Sequence, residues 1–591
     1  MSVQELDLLC AKYHQGLLGA EPIKISPSET TTGLRNALAV ELGINNQDRN
    51  CMMLYLLTPP IMRSDLAVMK QQLNSIDLSD TSRVSVMEDI LKPLGEYFVE
   101  APQPGVHIIF QMGRPGKRDR DPDSGEERTA NKRQAMDDQY PSLAPSSAAK
   151  PSIFNILQNK PYGPLVYCNR PYGASSTPVT ILHPVFGQFV DDYTDNQLTA
   201  EDHSAALALS QRMSDIFPLE KNRAALFRAV FQEIFGIDLI AGRLDPTDYS
   251  TDGHTLIGSH CYLITEVKNE IGFTGAEPFF QASSYHHEYA KGPRHTPKYP
   301  YPQSRFPCFQ LILFGSCLAI AGSVFGDRIH ADVLTPILPL FAHRSDIEMW
   351  RMTARYLAAL RRGLGRLRQH YQDLQPTSID EETALYPYPT SFTSPTGVKQ
   401  FQYGWGFFSN TTPRDRKLVF FGKLLQPDSK PIPICIKFTR RYSEDVHKFC
   451  ASNGWAPRLL GSERLAGGWQ MIVMEEIVKY THLGNFTGEK REALIVNGLQ
   501  GKLLEILHGL HAAGMVHGDF RDTNILVHQD VDSGHIDTKL VDFDWAGVAR
   551  VVRYPANINY IDIRRPEGAR DEEVVEAEHD MTMFEYLFPS S

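Results

Sequence analysis

A chain of 591 residues has room for roughly three to five domains. Its composition, 42% hydrophobic, 22% charged and 10% aromatic, excludes a wholly disordered chain, a fibrous repeat and a disulfide-stapled mini-protein. With 59 Lys and Arg against 70 Asp and Glu the net charge is −11, so any nucleic-acid contact has to come from a local basic patch. The eight cysteines are scattered without a Cys-x-x-Cys pair, which points to a reducing compartment and away from a structural zinc site. Glu5 and Asp7 stand where a secretory leader would be positive, so an ordinary signal peptide is not expected.

Residues 1–112 mix strand and helix patterns. The alternation of PIKI (22–25) predicts a strand, residues 31–35 open a helix, CMMLYLL (51–57) reads as a second strand, and VHIIF (106–110) closes the block as a third. This order suits a small ubiquitin-like β-grasp. Five features, PIKI, LRNAL (34–38), LYLL with its following Pro59, L-x-P-L-x-x-Y-F (91–98) and VHIIF, resemble the N-terminal header of the Crinkler family of oomycete and fungal proteins. Without the resemblance, the residues indicate an interaction domain of unspecified partner. Residues 113–150 are polar and almost free of large aliphatics, a flexible linker. They carry the pairs Lys117-Arg118 and Lys132-Arg133, the pattern of a bipartite nuclear-import signal, diluted by five acids that fit a plain solvated tether.

In the second block, residues 151–370, a helix over 218–235 begins with Pro218 in its first turn. Leu226, Ala229, Val230 and Glu233 recur at i, i+3, i+4 and i+7, which places Glu233 on the apolar stripe. Asp252 precedes Gly253 at an expected turn. In the strand YLITEVK (262–268), Glu266 and Lys268 share one face while Leu263, Thr265 and Val267 take the other. Pro278 opens a helix on which Gln281 and Tyr285 lie four apart. Residues 306–326 carry no charge over 21 positions, long enough for a bilayer. Interruption by Pro307, Gln310 and several Gly and Ser favours two buried strands joined near Gly315, so no membrane span is expected.

The order Glu233, Asp252, Glu266-x-Lys268, Gln281-x-x-x-Tyr285 resembles the PD-(D/E)xK nuclease superfamily, near its RecB-like branch, over roughly 200–345. The resemblance implies that Asp252 and Glu266 hold Mg²⁺ or Mn²⁺, a hard cation that takes oxygen ligands. Glu233 supports them, Lys268 orients the attacking water or neutralises charge, and Gln281 orients near the lysine. No Pro precedes Asp252, a departure from the family pattern. Two basic features could meet DNA: the loop 286–305 with Lys291, Arg294, Lys298 and Arg305 among tyrosines, and a helix over 346–370 with Arg351, Arg355, Arg361, Arg362, Arg366 and Arg368. The bland reading of both is a solvated surface.

Residues 371–398 read as a second linker, and residues 399–591 as a third block. ICIKF (434–438) is a strand ending with Lys437 among apolar neighbours, and Ser443 is an N-cap for a helix carrying Glu444. MIVME (471–475) is a buried strand that runs into a polar hinge at Glu475. A helix over 503–513 leads to His517-Gly518-Asp519 and Asn524, and a strand over 539–541 leads to Asp542-Phe543-Asp544. The spacing His-x-Asp-x-x-x-x-Asn followed by Asp-Phe resembles the protein-kinase-like fold, and His-Gly-Asp looks more like aminoglycoside phosphotransferases and small atypical kinases. The resemblance implies Asp519 as the group that accepts the substrate hydroxyl proton, and Asn524 and Asp542 as Mg²⁺ ligands. Lys437 clamps the ATP phosphates, positioned by Glu444, and Glu475 lines the nucleotide hinge. Gly404, Gly406 and Gly422 do not form a G-x-G-x-x-G loop, and Asp544 stands where the metal motif carries Gly. Arg564-Arg565-Pro566-Glu567 echoes an activation-segment end, and Asp580 the anchor acid of a later helix.

The expected fold is a multidomain α+β chain: a β-grasp-like header, an α/β restriction-endonuclease-like domain and a protein-kinase-like domain. The expected function is a Crinkler-type effector-like protein that joins a Mg²⁺-dependent DNA nuclease domain to an ATP-binding phosphotransferase with a protein or small-molecule substrate. The family resemblance implies action in a nucleus, with secretion by an unconventional route or intracellular deployment. The alternative is a catalytically inactive, nucleotide-binding pseudokinase and DNA-binding scaffold.

Overall fold

The computed structural model describes residues 143–588 apart from 161–162, 173, 175, 196, 273–274, 295–304, 327, 376–385, 407–417, 427–429 and 531–533, together with the backbone of five strands within 6–112. The basic pairs of the first linker and the helix expected at 31–35 lie outside the described residues. The five strands are β1 (Leu6–Tyr13), β2 (Ala20–Ile25), β3 (Met52–Met62), β4 (Val84–Val86) and β5 (Gly105–Met112), in the order β2-β1-β5-β3-β4. β1 and β5 run parallel and the other pairs antiparallel.

The second block is built on an eight-stranded sheet with the path β6-β12-β11-β10-β9-β8-β7 and β13 beside β11. Its strands are β6 (Val166–Tyr167), β7 (Ile240–Arg243), β8 (Ser250–Ile257), β9 (His260–Lys268), β10 (Cys308–Phe314), β11 (Cys317–Phe325), β12 (Ile329–Val333) and β13 (Leu338–Pro339). The helices are α1 (Pro151–Gln158), α2 (Val179–Leu182), α3 (Pro184–Thr194), α4 (Ala200–Met213), α5 (Glu220–Phe235), α6 (Pro278–Arg294) and α7 (Ile347–Asp373). β9 is buried along its whole length because helices cover both faces. The odd-numbered Leu263 and Val267 join Phe227, Phe231, Leu357 and Leu364 in the core. On the even face, Ser283 and His286 of α6 hydrogen-bond Gln310 and Ser323. The uncharged stretch 306–326 is the antiparallel hairpin β10–β11, turned at Gly315 with φ +60°, where a Cβ would meet Glu270 Oε2 at 2.7 Å. Among the described residues no helix is long and apolar enough to cross a membrane.

The third block starts earlier than its composition suggests. α7 continues to Asp373, and β14 (Ser391–Ser394) pairs with β15 (Gly397–Gly406), so residues 391–394 belong to the sheet and not to a linker. That sheet continues through β16 (Val419–Leu424), β17 (Ile432–Thr439), β18 (Leu459–Leu465) and β19 (Trp469–Glu475) in the order β14-β15-β16-β17-β19-β18. α8 (Glu444–Ser452) follows β17. Beyond Glu475 come α9 (Glu489–Val496), α10 (Leu499–Ala512), the small strands β20 (Thr481–His482), β21 (Met515–Val516), β22 (Ile525–Gln529), β23 (Ile536–Leu540) and β24 (Gly547–Val548), and α11 (Ala577–Leu587).

The second and third blocks share a seam. Ile181, on the four-residue helix α2, is buried in the same cluster as Phe392, Phe420, Ile436, Trp469 and Val473. Trp469 Nε1 donates to Thr180 Oγ1 at 2.9 Å, Gly467 N to Asp191 Oδ1 at 2.9 Å and Tyr388 N to Ile181 O at 2.9 Å. Arg440 lies over the Trp469 ring at 4.0 Å.

Candidate functional site

Lys437 stands on β17 opposite Ile472, almost fully buried. Its ammonium lies 2.5 Å from Asp542 Oδ1 and 2.5 Å from Asp544 Oδ1. Burial opposes the charged form, but the two carboxylates outweigh it and raise the Lys437 pKa. Asp542 has φ +74°, a conformation an L-residue adopts at a cost of about 1 kcal/mol or more.

Asp519 presents its carboxylate to three donors. Asn524 Nδ2 and Arg521 Nε donate to Oδ2 at 2.8 and 2.9 Å, and Arg565 Nη1 to Oδ1 at 2.7 Å. Arg565 is buried, 4.8 Å from the Trp545 ring centroid. The loop that carries Asp519 is fixed from below by Asp580, whose two oxygens accept from His517 N at 2.7 Å and Gly518 N at 2.8 Å. Gly518 has φ +79°, and a Cβ there would stand 2.8 Å from Trp545 O. The positive φ and the close approach together call for glycine at this position.

Val541 N donates to Asn524 O at 3.0 Å, which sets the Asn524 and Asp542 segments side by side. Asn524 is fully buried and its Oδ1 has no hydrogen-bond partner, an acceptor whose desolvation nothing in the described residues offsets. A hard cation suits that oxygen and the Asp542 carboxylate. Among the described residues no three His, Cys, Asp or Glu side chains gather into a cage. Mg²⁺ is commonly held by one or two carboxylates with phosphate oxygens and water completing the shell, so these residues fit nucleotide-bound Mg²⁺.

Glu444 is not the partner of Lys437. It lies at the first position of α8, half-exposed, and accepts from Lys448 Nζ at 2.9 Å, which together with Ser462 holds its carboxyl below the usual range. The inward positions of α8 are Val446, His447 and Cys450, and His447 is the polar one. Its ring hydrogen-bonds Tyr442 Oη and Pro457 O, both at 2.8 Å, and stacks on Phe543 with centroids 4.8 Å apart. Glu475 ends β19 opposite Ile434, with its carboxylate 4.0 Å from Arg458 Nε. The segment 407–417 between β15 and β16 lies outside the described residues.

The second block gathers the other candidates at one end of β9. Glu266 is 1% and Lys268 8% exposed, and Lys268 Nζ lies 2.5 Å from Glu266 Oε1. Neither Glu266 oxygen accepts an aligned hydrogen bond, and Gln281 Oε1 on α6 is likewise buried without one. Asp252 Oδ2 accepts from Val267 N at 2.8 Å. With Gly253 opposite Thr265, Asp252 falls beside Glu266. Burial, reinforced by Asp252, raises the Glu266 pKa to about 8, and burial raises Asp252. Burial works against the Lys268 ammonium, but Glu266 outweighs it and raises the lysine. Tyr285, buried on α6, donates to Ser250 O at 2.7 Å. The carboxylate of Glu266, met on one oxygen by Lys268, and the buried Gln281 Oε1 are hard oxygen donors that suit a hard cation better than any soft metal.

Glu233 does not join this cluster. Its side chain is 56% exposed and pairs with Arg212 at 2.7 Å. The inner face of α5 is set by Arg223, Ala224, Phe227, Val230 and Phe231, and Glu233 lies roughly a third of a turn off its centre. Glu220, at the start of the same helix, is the acid that reaches the site, 4.0 Å from Lys268 Nζ. The basic features also differ from expectation. Arg361 pairs with Asp202, and Arg362 and Arg366 with Asp192, so these cations of α7 tie helices together. Arg305 is buried, donating to Leu182 O. Lys298 lies outside the described residues.

No protein-family model and no curated protein matches the sequence. Among solved structures the chain is similar to the PK-1 kinase of Cydia pomonella granulovirus, at 12% identity and a TM-score of 0.24, over 32% of this chain and 66% of that one. It is also similar to vaccinia related kinase 3, at 15% identity and a TM-score of 0.25, over 34% of this chain and 68% of that one. The chain therefore spans about two thirds of the length of each of these kinases.

Proposed function

We propose that the third block is a kinase-like phosphotransferase that uses ATP and Mg²⁺. The observation that carries this reading is the pairing of two centres on adjacent segments: Lys437 gathered with Asp542, and Asp519 held by Asn524, Arg521 and Arg565. Lys437 would bind the nucleotide phosphates, and Asn524 and Asp542 would hold the metal. Mg²⁺, when bound, supplies neutralisation of charge on the transferred phosphoryl group. Asp519 would accept the proton of the acceptor hydroxyl. Its carboxylate is aimed by three donors and anchored through Asp580, so little reorganisation is needed when the acceptor arrives.

The test uses the full chain with labelled ATP and a mixed protein pool. Asp542→Asn is expected to abolish the Mg²⁺-dependent part of ATP binding. Asp519→Asn is expected to keep that binding and to lose transfer by about a hundredfold or more. A wild-type protein that binds no ATP at any Mg²⁺ concentration refutes the reading, and one that binds ATP but transfers to nothing, itself included, is the nucleotide-binding scaffold instead.

A second activity is proposed for the second block, Mg²⁺- or Mn²⁺-dependent DNA cleavage of the PD-(D/E)xK kind. The pairing of Glu266 with Lys268 on one buried strand face beside Asp252 supports it. Residues 1–112 are proposed as a Crinkler-type β-grasp header, supported by the strand order β2-β1-β5-β3-β4 with β1 parallel to β5. Nuclear action is proposed from the basic pairs at Lys117-Arg118 and Lys132-Arg133.

A further inference from the structure

The acid that serves Lys437 can be identified from what the charged side chains around it already do. A buried ammonium needs a carboxylate partner, because an unpaired charge in that surrounding is expensive. Asp542 supplies one oxygen at 2.5 Å. In the proposed phosphotransferase, however, Asp542 turns to the metal, and its hold on the lysine is then shared or lost. The helix α8 offers no replacement. Glu444 is bound to Lys448 at 2.9 Å, Asp445 is exposed, and the inward-facing residues are Val446, Cys450 and His447, the last an imidazole locked by two hydrogen bonds and by Phe543. Asp544 remains, with Oδ1 2.5 Å from Lys437 Nζ and its side chain about one quarter exposed.

We propose that Asp544 is the positioning residue for Lys437: it keeps the ammonium in place to meet nucleotide phosphates while Asp542 holds the metal. This rests on the nucleotide-binding reading of the third block and assigns to the segment 542–544 a task that the kinase-like resemblance gave to a helix. One consequence is geometric. Asp542 and Asp544 lie two residues apart on one tight segment, so the metal and the lysine are positioned together. Movement of α8 would leave the pair intact. The neighbours complete the picture: the Tyr442 ring covers Lys437 with its centroid 5.6 Å away, and Arg441 is the other cation near Asp544.

Adenosine and ATP separate this role from a merely structural one, because only ATP carries the phosphates that Lys437 would meet. Binding of adenosine, ATP and ATP with Mg²⁺ is measured by calorimetry for the full-length wild type, Asp544→Asn, Asp544→Glu, Asp542→Asn and Glu444→Gln. Circular dichroism checks each fold. Asp544→Asn is expected to weaken ATP roughly tenfold or more, as loss of a charge-assisted contact does, and to leave adenosine within about twofold. Asp544→Glu should recover most of the loss. The Mg²⁺-dependent gain in ATP affinity should survive in Asp544→Asn and vanish in Asp542→Asn. Should Asp544→Asn fail to fold, Asp544→Gly removes the carboxylate without adding an amide and is read the same way.

Equal weakening of adenosine and ATP overturns the inference in favour of a structural role. Loss of the Mg²⁺ gain in Asp544→Asn overturns it in favour of a metal ligand. A loss in Glu444→Gln as large as in Asp544→Asn returns the task to the helix. A wild type that binds neither ligand refutes the nucleotide site itself, and the inference falls with it.

Discussion

Gly187 on α3 is the tightest point of the seam between the second and third blocks, and a single methyl group there probes whether the two fold together. An ideal Cβ at Gly187 would lie 2.7 Å from Ala466 O, 2.9 Å from Ala466 C and 3.1 Å from Ala466 Cβ. Two of these are backbone atoms and the third is a methyl carbon that cannot move without the backbone. Ala466 is held by the turn through Gly467 and Gly468, at φ +77° and +71°, and that turn is tied to Asp191 by the 2.9 Å bond from Gly467 N. Relief of the clash must therefore move backbone, and overpacking of this kind costs about 1–3 kcal/mol. For a unit of more than 400 residues, roughly 1–2 °C per kcal/mol follows from the size scaling of unfolding entropy, so Gly187→Ala should lower Tm by about 1–6 °C. Scanning calorimetry gives the shift. Hydrogen exchange followed by mass spectrometry shows where it acts: residues 179–194 and 459–475 should lose protection together. Two separate melting transitions of which only one moves, or no measurable change in Tm with protection unchanged on both sides, would refute the claim that the seam joins them. The same packing makes a fragment cut at 370 a poor vehicle for assays, because it strips Ile181 of Phe392, Trp469 and Val473.

Two further expectations concern the second block and α8. On the full chain with plasmid DNA and Mg²⁺ or Mn²⁺, Glu266→Gln and Lys268→Ala should each reduce cleavage by about a hundredfold or more, measured as nicked and linear product. Equal cleavage by wild type and both variants would leave the carboxylate cluster without a catalytic role. His447 should make the protein acid-labile. Burial pushes its pKa down from 6.5 to about 4, so the fold keeps it neutral while the unfolded chain takes up a proton below pH 6.5. Its contribution is fully present above about pH 6.5 and is lost progressively as pH falls toward 4, by about 3 kcal/mol at most. Urea unfolding at pH 7, 5.5 and 4.5 should show that decline in wild type and a shallower one in His447→Gln; parallel slopes would exclude His447 as its source.

Strand parity was the most legible feature of this chain. Because side chains alternate with period two, Glu266 and Lys268 had to share a face, and they do, at 2.5 Å. The hairpin over 308–325 was legible for a related reason, since its Gly and Ser interruptions break a membrane helix but suit a turn at Gly315. Helical positions were read less well. The stripe through Leu226, Val230 and Glu233 is a genuine 3.6-residue repeat, yet Phe227 and Phe231 are larger and decide which way α5 faces, leaving Glu233 on the outside with Arg212. Glu444 was misplaced by the same freedom. An acid just after an N-cap Ser is favoured by the helix terminus itself, so its presence there says nothing about a lysine on the preceding strand.

What was not legible depends on partners far away in sequence. The arginines of α7 look like a phosphate-binding row until Asp192 and Asp202, about 160 residues earlier, are set against them. Arg565, noted only as part of a segment end, becomes a 2.7 Å partner of Asp519 when the chain returns 46 residues later. Ile181 sits on a four-residue helix with no periodicity to expose it, and its burial depends on a sheet that begins more than 200 residues on. Asp544 belongs to this class as well. Its sequence position marked it as a departure from the metal motif, and a departure reads as loss of function when only the motif is in view. Set against Lys437, with Glu444 bound elsewhere, the same carboxylate lies 2.5 Å from the ammonium, and under the proposed positioning role the departure from the motif would compensate for the missing helix acid.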